Sequence, residues 1–189
     1  MKTTTPRIEP LDESAWTEDQ AAVLGPIKNG EHGFGSASVY NIIGTLANHW
    51  DAYLKFGVWG NHVLGDTSTL PPREREIVIL RIGWLCQAEY EWGQHVMIGK
   101  AAGLTDEEIA RIKQGPDADG WEPFEATLLR ATDELHADAF VSDDTWKKLT
   151  ERYDTRQLMD VVFAVGQYNM VSMALNSFGV QLDEGVEGF

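Results

Sequence analysis

Helix start and stop signals recur from Ser38 to Gly179 and leave little room for a sheet. Pro71-Pro72 opens one helix, because proline is tolerated in a first turn. Glu74 and Glu76 follow in that turn, where carboxylates suit the helix dipole. The apolar run Ile77, Val78, Leu80, Ile82, Trp84 and Leu85 is broad enough to be buried on several sides. A second helix over 88–102 ends at Gly103, and Thr105 with Glu108 has capping-box spacing for the next, which stops near Gly115-Pro116. Further helices are expected over 123–139, from Ser142 onward, and from the cap pair Asp154/Gln157 to Gly179. Upstream, Ser14 and Thr17 start a short helix over 18–24. Ser38 precedes a helix to about Gly57, with a further piece to Leu64 and a loop over 65–70. The expectation is an all-α fold of seven or eight helices, with 38–180 as the helical domain. Residues 1–37, broken by Pro6, Pro10 and Pro26 and loosened by Gly30, Gly33 and Gly35, would be an N-terminal extension wrapping that domain or a neighbour. The polar tail 181–189 would be loose.

Composition narrows the function classes. A chain of 189 residues with 43% hydrophobic and 24% charged residues is ordinary for one domain with a real core. A formal net charge of −15 repels phosphate backbones and argues against nucleic-acid binding. The single cysteine, Cys86, allows no intramolecular disulfide. The N-terminus MKTTTPRIEPLDESAW lacks the apolar core of a signal peptide. The most apolar stretch, 159–180, carries Asp160, Gln167, Asn169, Ser172 and Asn176, too many polar groups for a membrane span. A soluble cytoplasmic protein is therefore expected, with no membrane partner. Helices apolar on more than one face imply an obligate homo-oligomer. Of the seven tryptophans, Trp50, Trp59, Trp84 and Trp92 fall in the core-like half, where they fill the core or line an aromatic-tolerant pocket.

The groups able to move protons cluster in 72–103. Glu91 and His95 are four apart and share a helix face; the carboxylate would orient the ring and favour its charged form. A contact of this spacing on a surface is worth only a few tenths of a kcal/mol, but His95 lies among Trp92, Val96, Met97 and Ile98, so partial desolvation is expected. On one straight helix, Glu76 and His95 would be roughly 28 Å apart and could not cooperate. If the chain reverses near 85–87, they come level across an antiparallel pair. An uninterrupted buried helix over 72–102 is improbable in a domain of this size, so the reversal is preferred, although Gly83 is the sole breaker.

The stretch LPPREREIVILRIGWLCQAEYEWGQHVMIGKAAGLTDEEI resembles the core of the carboxymuconolactone decarboxylase family, which includes the alkylhydroperoxidase D-like proteins. Weaker likeness runs back through LANHWDAYLKFGVWGNHVLG and forward through QYNMVSMALNSFGV, covering most of 38–180. The resemblance implies an all-helical trimer or hexamer with sites near subunit contacts. The peroxidase branch has the frame Glu-x11-Cys-x2-Cys-x3-His, which falls here on Glu76, Ala88, Glu91 and His95. Both redox cysteines are absent and Cys86 is out of frame, so CxxC-dependent peroxide reduction is disfavoured. Cys86 reads as a small hydrophobe. The decarboxylase branch places glutamates six and four residues before the histidine, as Glu89 and Glu91 are here.

The resemblance implies cofactor-independent chemistry on a carboxylated lactone or related small molecule. His95 would be the general acid or base, with Glu91 orienting it and Glu76 completing the relay. No metal is implied, because no third ligand follows Glu91 and His95 at a recognised spacing. Arg73, Arg75 or Arg81 would hold a substrate carboxylate, Arg81 first, unless it bridges to Glu76 or Glu89. Glu89, Trp92, His49 and Tyr168 are further substrate-contact candidates, with Trp50 and Asn169 behind them. Two alternatives stand beside decarboxylation: another lyase, isomerase or hydrolase reaction on the same relay, and a non-catalytic helical binding or scaffold protein. Convergence of Glu76, Glu91 and His95 on a cavity with an arginine nearby favours catalysis; its absence favours the scaffold.

Overall fold

The computed structural model describes residues 1–28 and 39–189. Nine α-helices and no strand occur among them. They are α1 (Glu18–Lys28), α2 (Asn41–Leu46), α3 (Trp50–Leu64), α4 (Pro72–Leu85), α5 (Glu89–Ala101), α6 (Asp106–Gln114), α7 (Pro123–Asp138), α8 (Asp143–Thr150) and α9 (Thr155–Phe178). The boundaries after residue 71 follow the sequence signals closely. Thr105/Glu108 and Asp154/Gln157 both form reciprocal capping boxes, and Ser142 caps α8 through the Thr145 amide.

The first third differs from expectation. Ser38, Gly30, Gly33 and Gly35 lie outside the described residues. The helix expected to run on to Gly57 breaks instead at His49, whose backbone leaves the helical region (φ −120°, ψ 78°), while Gly57 sits inside α3. The α1 helix continues past Leu24 to Lys28 and carries Pro26 within it; Leu24 is fully buried and anchors it.

Helix α4 is the axis of the molecule. Ile77, Val78, Ile79, Leu80 and Ile82 are fully buried, and α5, α7 and α9 pack around them. One core cluster joins α4 to α7 and α9 through residues such as Val78, Ile82, Leu128 and Val161; another joins Ile77, Leu80, Trp92, Ile112 and Leu129. Asp160 on α9 accepts from the Thr69 amide at 2.7 Å and hydroxyl at 2.6 Å, which fixes the loop before α4. Helix α9 is long and apolar enough to cross a membrane by composition, yet Asp160, Gln167 and Ser172 are buried in it against protein. That is the setting of a core helix.

Both termini are tied down. Arg7 and Ile8 amides donate to the Phe178 carbonyl at 2.8 and 3.1 Å, and the Leu11 amide donates to Gly44 at 2.9 Å. Gly44 is required there, since a Cβ would lie 2.9 Å from that of Pro10. The tail is ordered rather than loose. Asp183 accepts from the Asn41 amide at 2.8 Å, from Gln94 at 2.7 Å and from the Tyr90 hydroxyl. Phe189 packs edge-on to Trp84 with 5.0 Å between ring centroids. The polar composition of 181–189 hid this, because its few anchors are specific bonds and one terminal ring.

Candidate active site

The reversal between α4 and α5 brings the proton-handling groups together. Cys86 ends α4, Gln87 adopts a left-handed conformation (φ 52°), and the Gln87 and Ala88 amides each donate at 2.9 Å to Trp84 and Gly83 carbonyls. This is a Schellman ending with glutamine where glycine is usual. Gly83 contributes differently: a Cβ on it would stand 3.4 Å from Glu91 Cγ, so it is where α4 and α5 approach closely.

Across this pair His95 lies between two carboxylates. Its Nδ1 is 2.6 Å from Glu76 Oε2, and its Nε2 is 2.9 Å from Glu91 Oε1. The Glu76 contact is a hydrogen bond; the Glu91 contact has ion-pair distance but not hydrogen-bond alignment, and Oε1 has no hydrogen-bond partner. Glu76, Glu91 and His95 are 0%, 3% and 5% exposed, so these charges interact across protein rather than water. Arg75 Nε stands 3.4 Å from Glu76 Oε1. The Tyr168 ring meets the imidazole edge-on at 4.8 Å.

Burial opposes a charge on His95, but the Glu76 and Glu91 carboxylates outweigh it and push the imidazole up to about 10. At neutral pH the ring is therefore an imidazolium. Burial, then Glu91 and Glu76, pushes the Tyr168 phenol well above its usual range, so it is a neutral hydroxyl. Burial also pushes the Cys86 thiol up. Its Sγ is 3.1 Å from Asn169 Oδ1, and a thiol so placed is a poor nucleophile.

The other candidates lie elsewhere or are occupied. Arg81 forms a two-point bridge to Asp133 at 2.6 and 2.8 Å and donates to the Ile112 carbonyl, so its carboxylate partner is Asp133 and not Glu76 or Glu89. Arg73 is held by Glu108 and Glu125. Arg75 alone of the three stands beside the cluster. Glu89 pairs with the N-terminal ammonium of Met1. Trp92 is buried against Trp84 and Phe189. His49 lies at a separate cavity beside α2 and α3. Glu76 and Glu91 face opposite ring nitrogens, so they and His95 do not converge on one point as metal ligands would; among the described residues no group of three His, Cys, Asp or Glu side chains does. Three cavities of about 10, 460 and 210 Å³ occur elsewhere, and none is lined by Glu76, Glu91 or His95.

A helical fold built round α4, with a buried carboxylate–imidazole–carboxylate cluster across its reversal, defines the class. The carboxymuconolactone decarboxylase family model matches residues 46–134, the segment from the end of α2 into α7. No curated protein sequence matches it. Among solved structures, an uncharacterized peroxidase-related protein from Silicibacter sp. TM1040 superposes with TM-score 0.82 at 14% identity, over 97% of this chain and 96% of that one. An uncharacterized peroxidase-related protein from Ralstonia eutropha JMP134, described as an alkylhydroperoxidase AhpD core, gives 0.79 at 17% identity over 94% and 93%. The debrominase Bmp8, as a cysteine-to-alanine variant with 2,3,4-tribromopyrrole, gives 0.74 at 15% identity over 96% and 94%. At these identities the likeness is one of fold.

Proposed function

We propose that the protein is a cofactor-independent acid–base enzyme acting on a carboxylated lactone or related small molecule, most simply as a decarboxylase. The observation that carries this reading is the buried His95 ring held between the Glu76 and Glu91 carboxylates. Burying three ionisable groups is a poor way to gain stability, since hydrophobic replacements often do as well or better. Strongly perturbed groups of this kind concentrate at functional sites.

The geometry supports the following roles. Glu76 makes the short bond to Nδ1 and so holds the ring and its charge. The proton on Nε2 is then the deliverable one. Loss of CO₂ from a substrate carboxylate leaves the bond's electron pair on carbon as a carbanion or enolate. His95 Nε2–H protonates that carbon, and solvent returns the proton to the ring. Glu91, close to Nε2 but unaligned, balances the charge of the ring at rest. Arg75 is the cation beside the site for a substrate carboxylate. Thiol peroxidase chemistry is disfavoured, because Ala88 and Glu91 occupy the two frame positions and Cys86 lies outside them.

A second reading has one observation in its favour: Glu76, Glu91 and His95 are almost wholly buried, and none of the three cavities described above reaches them. A binding or scaffold protein that kept the fold would show that closure. CO₂ release from a panel of carboxylated lactones and aromatic-catabolism acids separates the two. The enzyme reading expects turnover that falls about 10²–10⁴-fold in His95→Ala, with fold and assembly unchanged. Turnover that survives in that variant would sink the acid–base assignment; no turnover on any member of the panel favours the scaffold.

A further inference from the structure

The acid–base reading leaves Cys86 without a role, yet three helices converge on its sulfur. Cys86 ends α4, and Asn176 of α9 fixes it there by donating to its carbonyl at 3.0 Å. His136, in the last turn of α7, places Nδ1 3.9 Å from Sγ. Asn169 of α9 accepts from the thiol through Oδ1 at 3.1 Å. The cysteine is half-buried and His136 is exposed, so the pair is open to solvent on the histidine side.

Two features point to an ion. The first is distance. Metal bonds to thiolate sulfur and imidazole nitrogen are roughly 2.3 and 2.0 Å, so one ion spans the 3.9 Å between Sγ and Nδ1 at a wide angle. The second is Ser172. Its residue is fully buried on α9, and its hydroxyl lies beside the sulfur, where it favours the charged form of the thiol. It makes no aligned hydrogen bond, and a buried hydroxyl left so is costly. The thiol's own proton is committed to Asn169, and burial keeps that proton on the sulfur. A thiolate would accept from Ser172, and a coordinated metal deprotonates a thiol outright. The ion therefore creates the acceptor that Ser172 lacks.

We propose that Cys86 and His136 together bind one Cu(I) ion per chain, with Ser172 donating to the thiolate and Asn169 Oδ1, freed of the thiol proton, turned toward the ion. The thiol proton passes to solvent, a sulfur–copper bond forms, and no electron is exchanged. Thiolate is a soft ligand and selects Cu(I). A structural zinc ion takes four ligands, and among the described residues no third His, Cys, Asp or Glu joins these two. Of the charged groups around the sulfur, Glu91 attracts a cation and Lys2 repels one.

The test is anaerobic titration of the full chain with Cu(I) against a colorimetric Cu(I) chelator. One ion per chain is expected, with one proton released per ion at pH 7. Cys86→Ser should weaken uptake about a hundredfold or more, since the thiolate is the main ligand. His136→Ala changes an exposed side chain and leaves the core intact; it should weaken uptake at least about tenfold. His49→Ala, at another exposed histidine, should leave it unchanged. X-ray absorption should show one sulfur and one nitrogen on the copper. Equal uptake by wild type and His136→Ala overturns the proposal, as does absence of uptake by the wild type. So does a two-sulfur shell, because Cys86 from two chains would then share the ion, and so does tighter binding of Zn(II) than of Cu(I).

Discussion

At the scale of single residues, the account rests on the environment of His95. An imidazole whose folded value is raised above the ordinary 6.5 binds its proton more tightly in the native state than in the unfolded one. Its contribution to stability is complete below about 6.5 and is lost as pH rises through about 10. Thermal melts between pH 7 and 10 should therefore fall steadily in the wild type. The fall should be markedly shallower in His95→Gln, which has nothing to titrate there; equal slopes in the two proteins would contradict the pairing. Cys86→Ser tests the thiol from the other side. With burial holding the thiol up, that variant should keep at least half of any turnover. A loss exceeding tenfold with an unchanged melt would reopen cysteine chemistry.

At the scale of elements, the reversal between α4 and α5 decides whether there is a site at all. Glu91 and His95 were legible from their spacing, because four residues make one helical turn. Glu76 was legible only through an assumed turn, and the turn itself left no signal: Gln87 occupies a left-handed position where glycine or asparagine would have announced it. Gln87→Gly should stabilise the protein by up to about 1 kcal/mol by relieving that conformation; a lowered melting temperature would show that the glutamine bond to the Trp84 carbonyl matters more. Arg81 illustrates the opposite limit. Sequence showed an arginine among apolar residues, but its partner, Asp133, comes from α7, and no local pattern encodes that meeting. The tail was misjudged for the same reason, since Asp183 and Phe189 find α5 and Trp84 only in three dimensions. At Gly93 a Cβ would meet the Glu187 carbonyl oxygen at 2.5 Å and Val186 Cγ1 at 2.7 Å. Gly93→Ala should dislodge the tail at a cost of about 1–3 kcal/mol. Tryptophan fluorescence would report Phe189 leaving Trp84 and Trp92.

At the scale of the whole molecule, fold class was the most legible property, because caps, prolines and glycines punctuate almost every helix after residue 71. The break at His49 was less so: no proline or glycine marks it. Exposed apolar side chains such as Val58 (76%), Phe140 (63%) and Met173 (59%) remain on the single chain. We expect a homo-oligomer, trimer or hexamer, to cover part of this surface. Light scattering should then give a multiple of 21.1 kDa at micromolar concentration, and a monomeric mass would remove that expectation. Assembly also bears on the site, since Glu76, Glu91 and His95 are almost wholly buried in the single chain and a substrate has to reach them.

The buried imidazolium is the claim from which role, pH dependence and mechanism all descend. Nuclear magnetic resonance titration of the His95 ring, in protein labelled at histidine, reads it directly. The account predicts a ring that stays protonated through neutrality and titrates near 10 in the wild type, dropping in Glu76→Gln. A His95 ring that titrates at or below 6.5, or is neutral at pH 7 with both glutamates in place, would contradict it.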